Sequence, residues 1–216
     1  MTETWRLFIA IPLPDAVIAV LDEAQRALKK VVPPRTVTWV APSNIHLTLK
    51  FLGEVPVAQR DMIAQALSRA VEQRGELTLE TTGLGCFPNS RSPRVVWVGL
   101  GGDKDALHQL RDSVERAIAP LGYPTENRPF SPHLTLGRVR RDAARADAQC
   151  LGDIVRETTA PCAVNWSVTE LILFRSELKL SGADYTKLHR APLRVGRWRC
   201  ATASPGTSNK PLLQWS

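Results

Sequence analysis

The tetrapeptide His46-Leu47-Thr48-Leu49 returns unchanged as His133-Leu134-Thr135-Leu136. Histidine occurs only four times in these 216 residues, so a four-residue repeat that contains it constrains the fold more than any compositional figure. The flanks rhyme as well. Pro42-Ser43-Asn44 precedes the first copy and Ser131-Pro132 the second. Each copy reads as a strand entered from a loop, and the pair predicts two lobes related by pseudo-symmetry. Side chains alternate faces along a strand. His and Thr of each copy therefore share one face, and the two leucines anchor the other in a core. If the two strands lie side by side, two histidines and two threonines converge on one cleft.

That set of groups suits phosphate chemistry. In-line opening of a cyclic phosphodiester needs a proton removed from the attacking water and a proton delivered to the departing sugar oxygen. Imidazole titrates near neutral pH and can do either, which predicts a bell-shaped rate around neutral pH. Threonine hydroxyls can donate to the non-bridging oxygens, where charge accumulates. A metal centre is not expected: a catalytic zinc site takes about three protein ligands, and no Asp, Glu or Cys sits at a matching offset in both copies. The remaining histidines, His108 and His189, lack a threonine companion and are read as surface or core residues.

The rest of the chain supplies a scaffold. Strands are predicted at 5–12, 37–40, 45–52, 76–82, 94–100, 133–139, 168–175 and 184–190. Helices are predicted at 15–32, 57–74, 103–120 and 141–155, from apolar residues at helical spacing. Pro33-Pro34 ends the first helix. The stretch 123–132, with Pro124, Pro129 and Pro132, reads as irregular. Adjacent strands with short connections predict an α+β fold rather than a doubly wound parallel sheet. Residues 1–195 are read as one two-lobed domain, and 196–216 as a flexible basic tail.

Composition narrows the partners. Lys and Arg outnumber Asp and Glu by 28 to 21, a formal charge of +7, which favours anionic ligands such as nucleic acid or phosphorylated small molecules. No apolar run is long enough to span a bilayer. The opening MTETWRLFIAIPLPD lacks a basic n-region and a cleavage site and reads as a first strand. The four cysteines form no C-x-x-C pair and read as reduced thiols. A cytoplasmic monomer is expected.

These residues resemble the two-histidine phosphoesterase superfamily, which is defined by paired H-x-T-x motifs. The stretches TWVAPSNIHLTLKFLGEV, CFPNSRSPRVVWVGL and FSPHLTLGRVR, with RLFIAIPLP and ELILFRSEL, resemble its RNA 2′,3′-cyclic phosphodiesterase branch, also called the 2′-5′ RNA ligase family. The resemblance runs from about residue 5 to 195 and leaves out the tail. It implies a bilobal α+β fold with two antiparallel sheets around a central cleft and helices packed outside. It implies metal-independent, cofactor-free hydrolysis of RNA 2′,3′-cyclic phosphate ends to 2′-phosphomonoesters. It assigns His46 as proton donor to the leaving 3′ oxygen and His133 as proton acceptor from water. Thr48 and Thr135 bind phosphate oxygens, and Arg138 contacts phosphate or base.

Simple alternation puts Arg138 on the face away from His133, but a bulge at Gly137 would re-aim it. Phe51 and Phe130 flank the motifs and could stack a base; core packing is the expected role of each. The alternatives are 2′-5′ ligation, a phosphodiesterase acting on another cyclic phosphate or a 2′-5′ oligonucleotide, and, from another class, a non-catalytic RNA- or nucleotide-binding module.

Overall fold

The computed structural model describes residues 3–159, 162–179 and 182–197. Among these described residues ten strands form two sheets. The first has strand order β3-β1-β8-β9 and is antiparallel throughout. It is built from β1 (Thr4–Ile11), β3 (Leu47–Pro56), β8 (Glu170–Lys179) and β9 (Gly182–Pro192). The second has order β10-β4-β5-β6-β2, with β7 also pairing β4. Its members are β2 (Val37–Trp39), β4 (Gly75–Phe87), β5 (Val95–Gly102), β6 (His133–Val139), β7 (Asn165–Val168) and β10 (Arg194–Arg197). Among the described residues only β10 and β4 run parallel. The class is α+β, as expected from the adjacent strands.

Among the described residues four α-helices cover the sheets: α1 (Asp15–Val31), α2 (Arg60–Val71), α3 (Lys104–Ile118) and α4 (Arg145–Glu157). Helices α2 and α3 pack together and against the first sheet, while α4 packs on β4 and touches α1. The helical reading of the first segment holds because Val17, Leu21, Ala24 and Leu28 recur at helical spacing and are all buried. Among the described residues no helix is long and apolar enough to cross a membrane.

Of the two arrangements the sequence left open, motif strands side by side or two sheets around a cleft, the second is found. The motif strands are not neighbours. β3 is the edge strand of one sheet and β6 lies inside the other, so the motifs meet across a cleft instead of along a ladder. Strand β7 is an addition to the expected elements. Strand β10 also carries the backbone two residues into the expected flexible tail; the rest of that tail lies outside the described residues. Cys86, Cys150 and Cys162 are free thiols, and Cys200 lies outside the described residues.

β1 is buried on both faces. Leu7, Ile9 and Ile11 join the main core. Phe8 and Ala10 turn the other way and form a second, small cluster with Ile172 and Phe174. That second cluster is the floor on which the first motif rests.

Candidate active site

Both histidines line one cleft of roughly 1420 Å³. His46 is the residue just before β3, and it follows a short 3-10 turn at Pro42–Asn44. Its Nδ1 lies 2.8 Å from the Asn44 carbonyl. His133 opens β6, and its Nδ1 lies 2.8 Å from the Ser131 carbonyl. A carbonyl can only accept, so each Nδ1 carries the proton. In both rings Nε2 is then the nitrogen left for chemistry: a base when the ring is neutral, an acid when it is protonated. The two copies thus repeat the same tautomer lock, a ring bonded to the carbonyl two residues earlier.

The repeat extends further than the four letters. In β3, Ala10 pairs Thr48 while Ile9 pairs Lys50, so Leu49 is skipped. In β6, Trp97 pairs Thr135 while Val96 pairs Gly137, so Leu136 is skipped. Each motif therefore ends in a β-bulge at its last leucine, and the alternation of faces changes phase there. The carbonyl of Leu136 is satisfied by Val40 N–H at 2.9 Å and by the buried Gln25 Nε2 at 2.8 Å. The bulge turns Arg138 into the cleft lining, as the glycine at 137 suggested. It does the same for Phe51, which is 65% exposed at the cleft rim. The expectation that Phe51 packs in the core is corrected: the bulge at Leu49 reverses its side. Phe130 does pack against the main core, with its ring edge-on to His108 at 5.4 Å. His108 is exposed, and His189 hydrogen-bonds Ser68 Oγ at 2.8 Å away from the cleft.

The two rings sit in different surroundings. His46 stacks on Phe8 with centroids 4.7 Å apart and takes the edge of Tyr185 at 5.2 Å. Burial lowers its pKa, opposed by the Asn44 hydrogen bond. His133 stands edge-on to Phe87 at 4.9 Å. Burial lowers its pKa too, the Ser131 bond opposes this, and the Arg138 charge lowers it further. Burial raises the Tyr185 hydroxyl against the opposing charges of Arg138 and Arg6.

Thr48, Thr135 and Arg138 line the same cleft as the two histidines. Arg6, Asn44 and Tyr185 line it as well, and the His-x-Thr repeat does not single them out. Among the described residues no three His, Cys, Asp or Glu side chains gather as a metal-binding group.

Fold and site together define a two-sheet α+β protein in which paired His-x-Thr motifs, one from each sheet, face a common cleft. The family model of the 2′-5′ RNA ligase superfamily matches residues 13–179. The chain belongs to that superfamily.

It is 33% identical over 183 residues to the RNA 2′,3′-cyclic phosphodiesterase of Archaeoglobus fulgidus, covering 85% of this chain and 97% of that one. It is 36% identical over 192 residues to the Escherichia coli protein of the same name, covering 88% and 97%. Against the Geobacillus stearothermophilus relative, at 30% identity over 172 residues and 80% of this chain, the match spans only 52% of the relative's length. Among solved structures, E. coli LigT complexed with 3′-AMP is similar with a TM-score of 0.69 at 30% identity, covering 88% of this chain and 99% of that one.

Proposed function

We propose that this chain hydrolyses the 2′,3′-cyclic phosphate at an RNA end to a 2′-phosphomonoester, using two histidines and no metal. The observation that carries the reading is the twofold tautomer lock. Two rings in one cleft have Nδ1 engaged by a backbone carbonyl and Nε2 left for proton transfer, flanked by Thr48, Thr135 and Arg138. The names of the relatives support the substrate class.

In this mechanism neutral His133 takes a proton from water at Nε2 as the water oxygen bonds to phosphorus. Protonated His46 gives its Nε2 proton to the 3′ oxygen as the P–O3′ bond breaks. Burial first, and the Arg138 charge after it, favour the neutral form of His133, which suits an acceptor. Thr48 and Thr135 donate to the non-bridging oxygens and Arg138 meets their charge. Phe51 offers an exposed aromatic face at the rim for a base. Five cationic side chains and two carboxylates line the cleft, which favours a polyanion. We further take the chain to act as a cytoplasmic monomer.

The test incubates the protein, in EDTA, with a short RNA ending in a 2′,3′-cyclic phosphate. A 2′-phosphate product, abolished in both His46→Ala and His133→Ala, is expected. Turnover that depends on an added divalent ion, or that survives either substitution at full rate, would overturn the reading.

A further inference from the structure

The two orienting carbonyls are held in unlike ways. That of Asn44 belongs to a 3-10 turn closed by Asn44 N–H to Ala41 O at 2.8 Å and Ile45 N–H to Pro42 O at 3.1 Å. Asn44 Nδ2 also donates to Ala183 O on β9 at 2.6 Å. The carbonyl of Ser131 ends an irregular stretch, residues 123–132, with no helix or strand of its own. This stretch walls one side of the cleft.

Its backbone is gripped by side chains. Lys50 Nζ, from β3, donates to Pro124 O at 2.8 Å. Arg111 Nη2, from α3, donates to Glu126 O at 3.1 Å. Both cations meet on Glu115. Lys50 Nζ lies 2.5 Å from Oε2, and Arg111 Nη2 lies 3.2 Å from Oε1 as an ion pair without hydrogen-bond geometry. Lys50 and Glu115 are 5% and 3% exposed. The Arg111 guanidinium also faces the ring of Phe130 at 5.8 Å, and Phe130 immediately precedes Ser131.

Burying such charges is costly, and apolar side chains of similar volume often hold a core as well or better. What methionine or leucine could not supply is a donor at a fixed point beneath a loop carbonyl. We propose that Lys50 and Arg111, joined through Glu115, are positioning residues for His133. By holding the carbonyls of Pro124 and Glu126 they fix the stretch that presents the Ser131 carbonyl to His133 Nδ1. The network starts on the strand that carries the first motif and ends on the loop that orients the second. The consequence for rate rests on the proposed role of His133; the consequence for its tautomer does not.

The experiment compares the full chain with Lys50→Met, Lys50→Arg and the double variant Lys50→Met with Glu115→Gln. The double variant removes the donor without leaving Lys50's carboxylate partner charged. Proton–nitrogen correlation spectra of the imidazoles are recorded without ligand, with His46 as internal control. Steady-state kinetics use a nucleoside 2′,3′-cyclic phosphate. In Lys50→Met and in the double variant, His133 is expected to lose its single Nδ1–H tautomer while His46 keeps its own. The kcat falls roughly 10- to 100-fold, with KM changed less than about threefold, and Lys50→Arg restores most of it. A folded double variant with both tautomers intact, or with both histidines perturbed alike, would overturn the proposal. Absence of turnover by the unaltered protein would refute the phosphodiesterase reading and leave the spectra to decide this one.

Discussion

Gly137 is where the second bulge meets β2. A Cβ built there stands 2.5 Å from Val37 Cγ1, 3.1 Å from Trp39 Cε3 and 3.2 Å from Thr38 O. Ordinary carbon contacts need about 3.5 Å, so Gly137→Ala forces β2 and β6 apart. β2 has three residues and ends its sheet, so it is the strand that yields. Its neighbour Val40 would carry the bonds to Leu136 O and Gln25 with it. Overpacking of this kind costs roughly 1–3 kcal/mol. For a chain of this size about 2 kcal/mol lowers Tm by roughly 4–8 °C. Val37→Ala removes the methyl struck first and by itself costs roughly 2 kcal/mol through reduced burial and the cavity it leaves. In the double variant the two costs should fail to add, with a favourable coupling of about 1 kcal/mol. Thermal and denaturant unfolding of the four proteins measures this cycle. Arg138 follows the bulge, so Gly137→Ala should also displace its guanidinium. KM for a cyclic phosphate should then rise about tenfold, the worth of one charge-assisted hydrogen bond, with partial recovery in the double variant. A neutral Gly137→Ala, or strictly additive costs, would refute the argument that this close approach shapes the site.

Removing one hydroxyl by Thr48→Val or Thr135→Val should cut kcat by roughly 10²–10³-fold with little change in Tm; kinetics and a melting curve check both. The pH profile of kcat/KM should rise as His133 loses its proton and fall as His46 does. Burial holds both below the ordinary value near 6.5, so the maximum lies on the acid side. A bound phosphate raises both, so the kcat profile moves to higher pH; a kcat/KM maximum on the alkaline side would contradict this. Phe51→Ala should leave stability within about 0.5 kcal/mol yet weaken binding of an RNA end by roughly 1–3 kcal/mol, measured by titration with the His133→Ala protein. By contrast Phe8→Ala, in the 2%-exposed floor under His46, should cost about 3–5 kcal/mol.

His46, Thr48, His133 and Thr135 were legible because a repeat marks them and period-two alternation puts each pair on one face. Arg138 was named by the family resemblance, and strand alternation agreed with it only by allowing for a bulge at Gly137. The same allowance in the first copy would have placed Phe51 correctly. Unbroken alternation from His46 puts residue 50 toward the cleft and residue 51 in the core, and the bulge at Leu49 exchanges them. The floor beneath His46 was hidden for another reason. RLFIAIP is apolar on both faces because β1 is buried on both, so nothing in its pattern separates Phe8 from Leu7. Strand β7 did leave a signal, since Trp166 and Val168 alternate with exposed Asn165 and Ser167, but four residues are easily passed over. The Lys50–Glu115 pair joins positions far apart in the chain, and no local pattern announces it.

The two halves agree at the orienting carbonyl, the histidine, the threonine and the bulge, then part company at the next two positions. After the bulge the first of these points inward. In β6 that position faces β2 at a distance which excludes even a methyl, so glycine stands there. β3 is an edge strand, with α3 packed against it, so Lys50 has room to extend to Glu115. The second position reaches the cleft in both halves, as an aromatic ring at Phe51 and a guanidinium at Arg138. A pseudo-symmetric frame thereby offers one flat apolar face and one cationic face, which suits a ligand whose ends are a base and a phosphate. It also makes the histidines inequivalent. A fixed positive charge stands beside His133 and opposes its protonation, whereas the matching position near His46 holds a neutral ring. The Arg138 charge adds to burial in favouring a neutral His133, in keeping with the proposed acceptor role, while burial acts on His46 in the same direction.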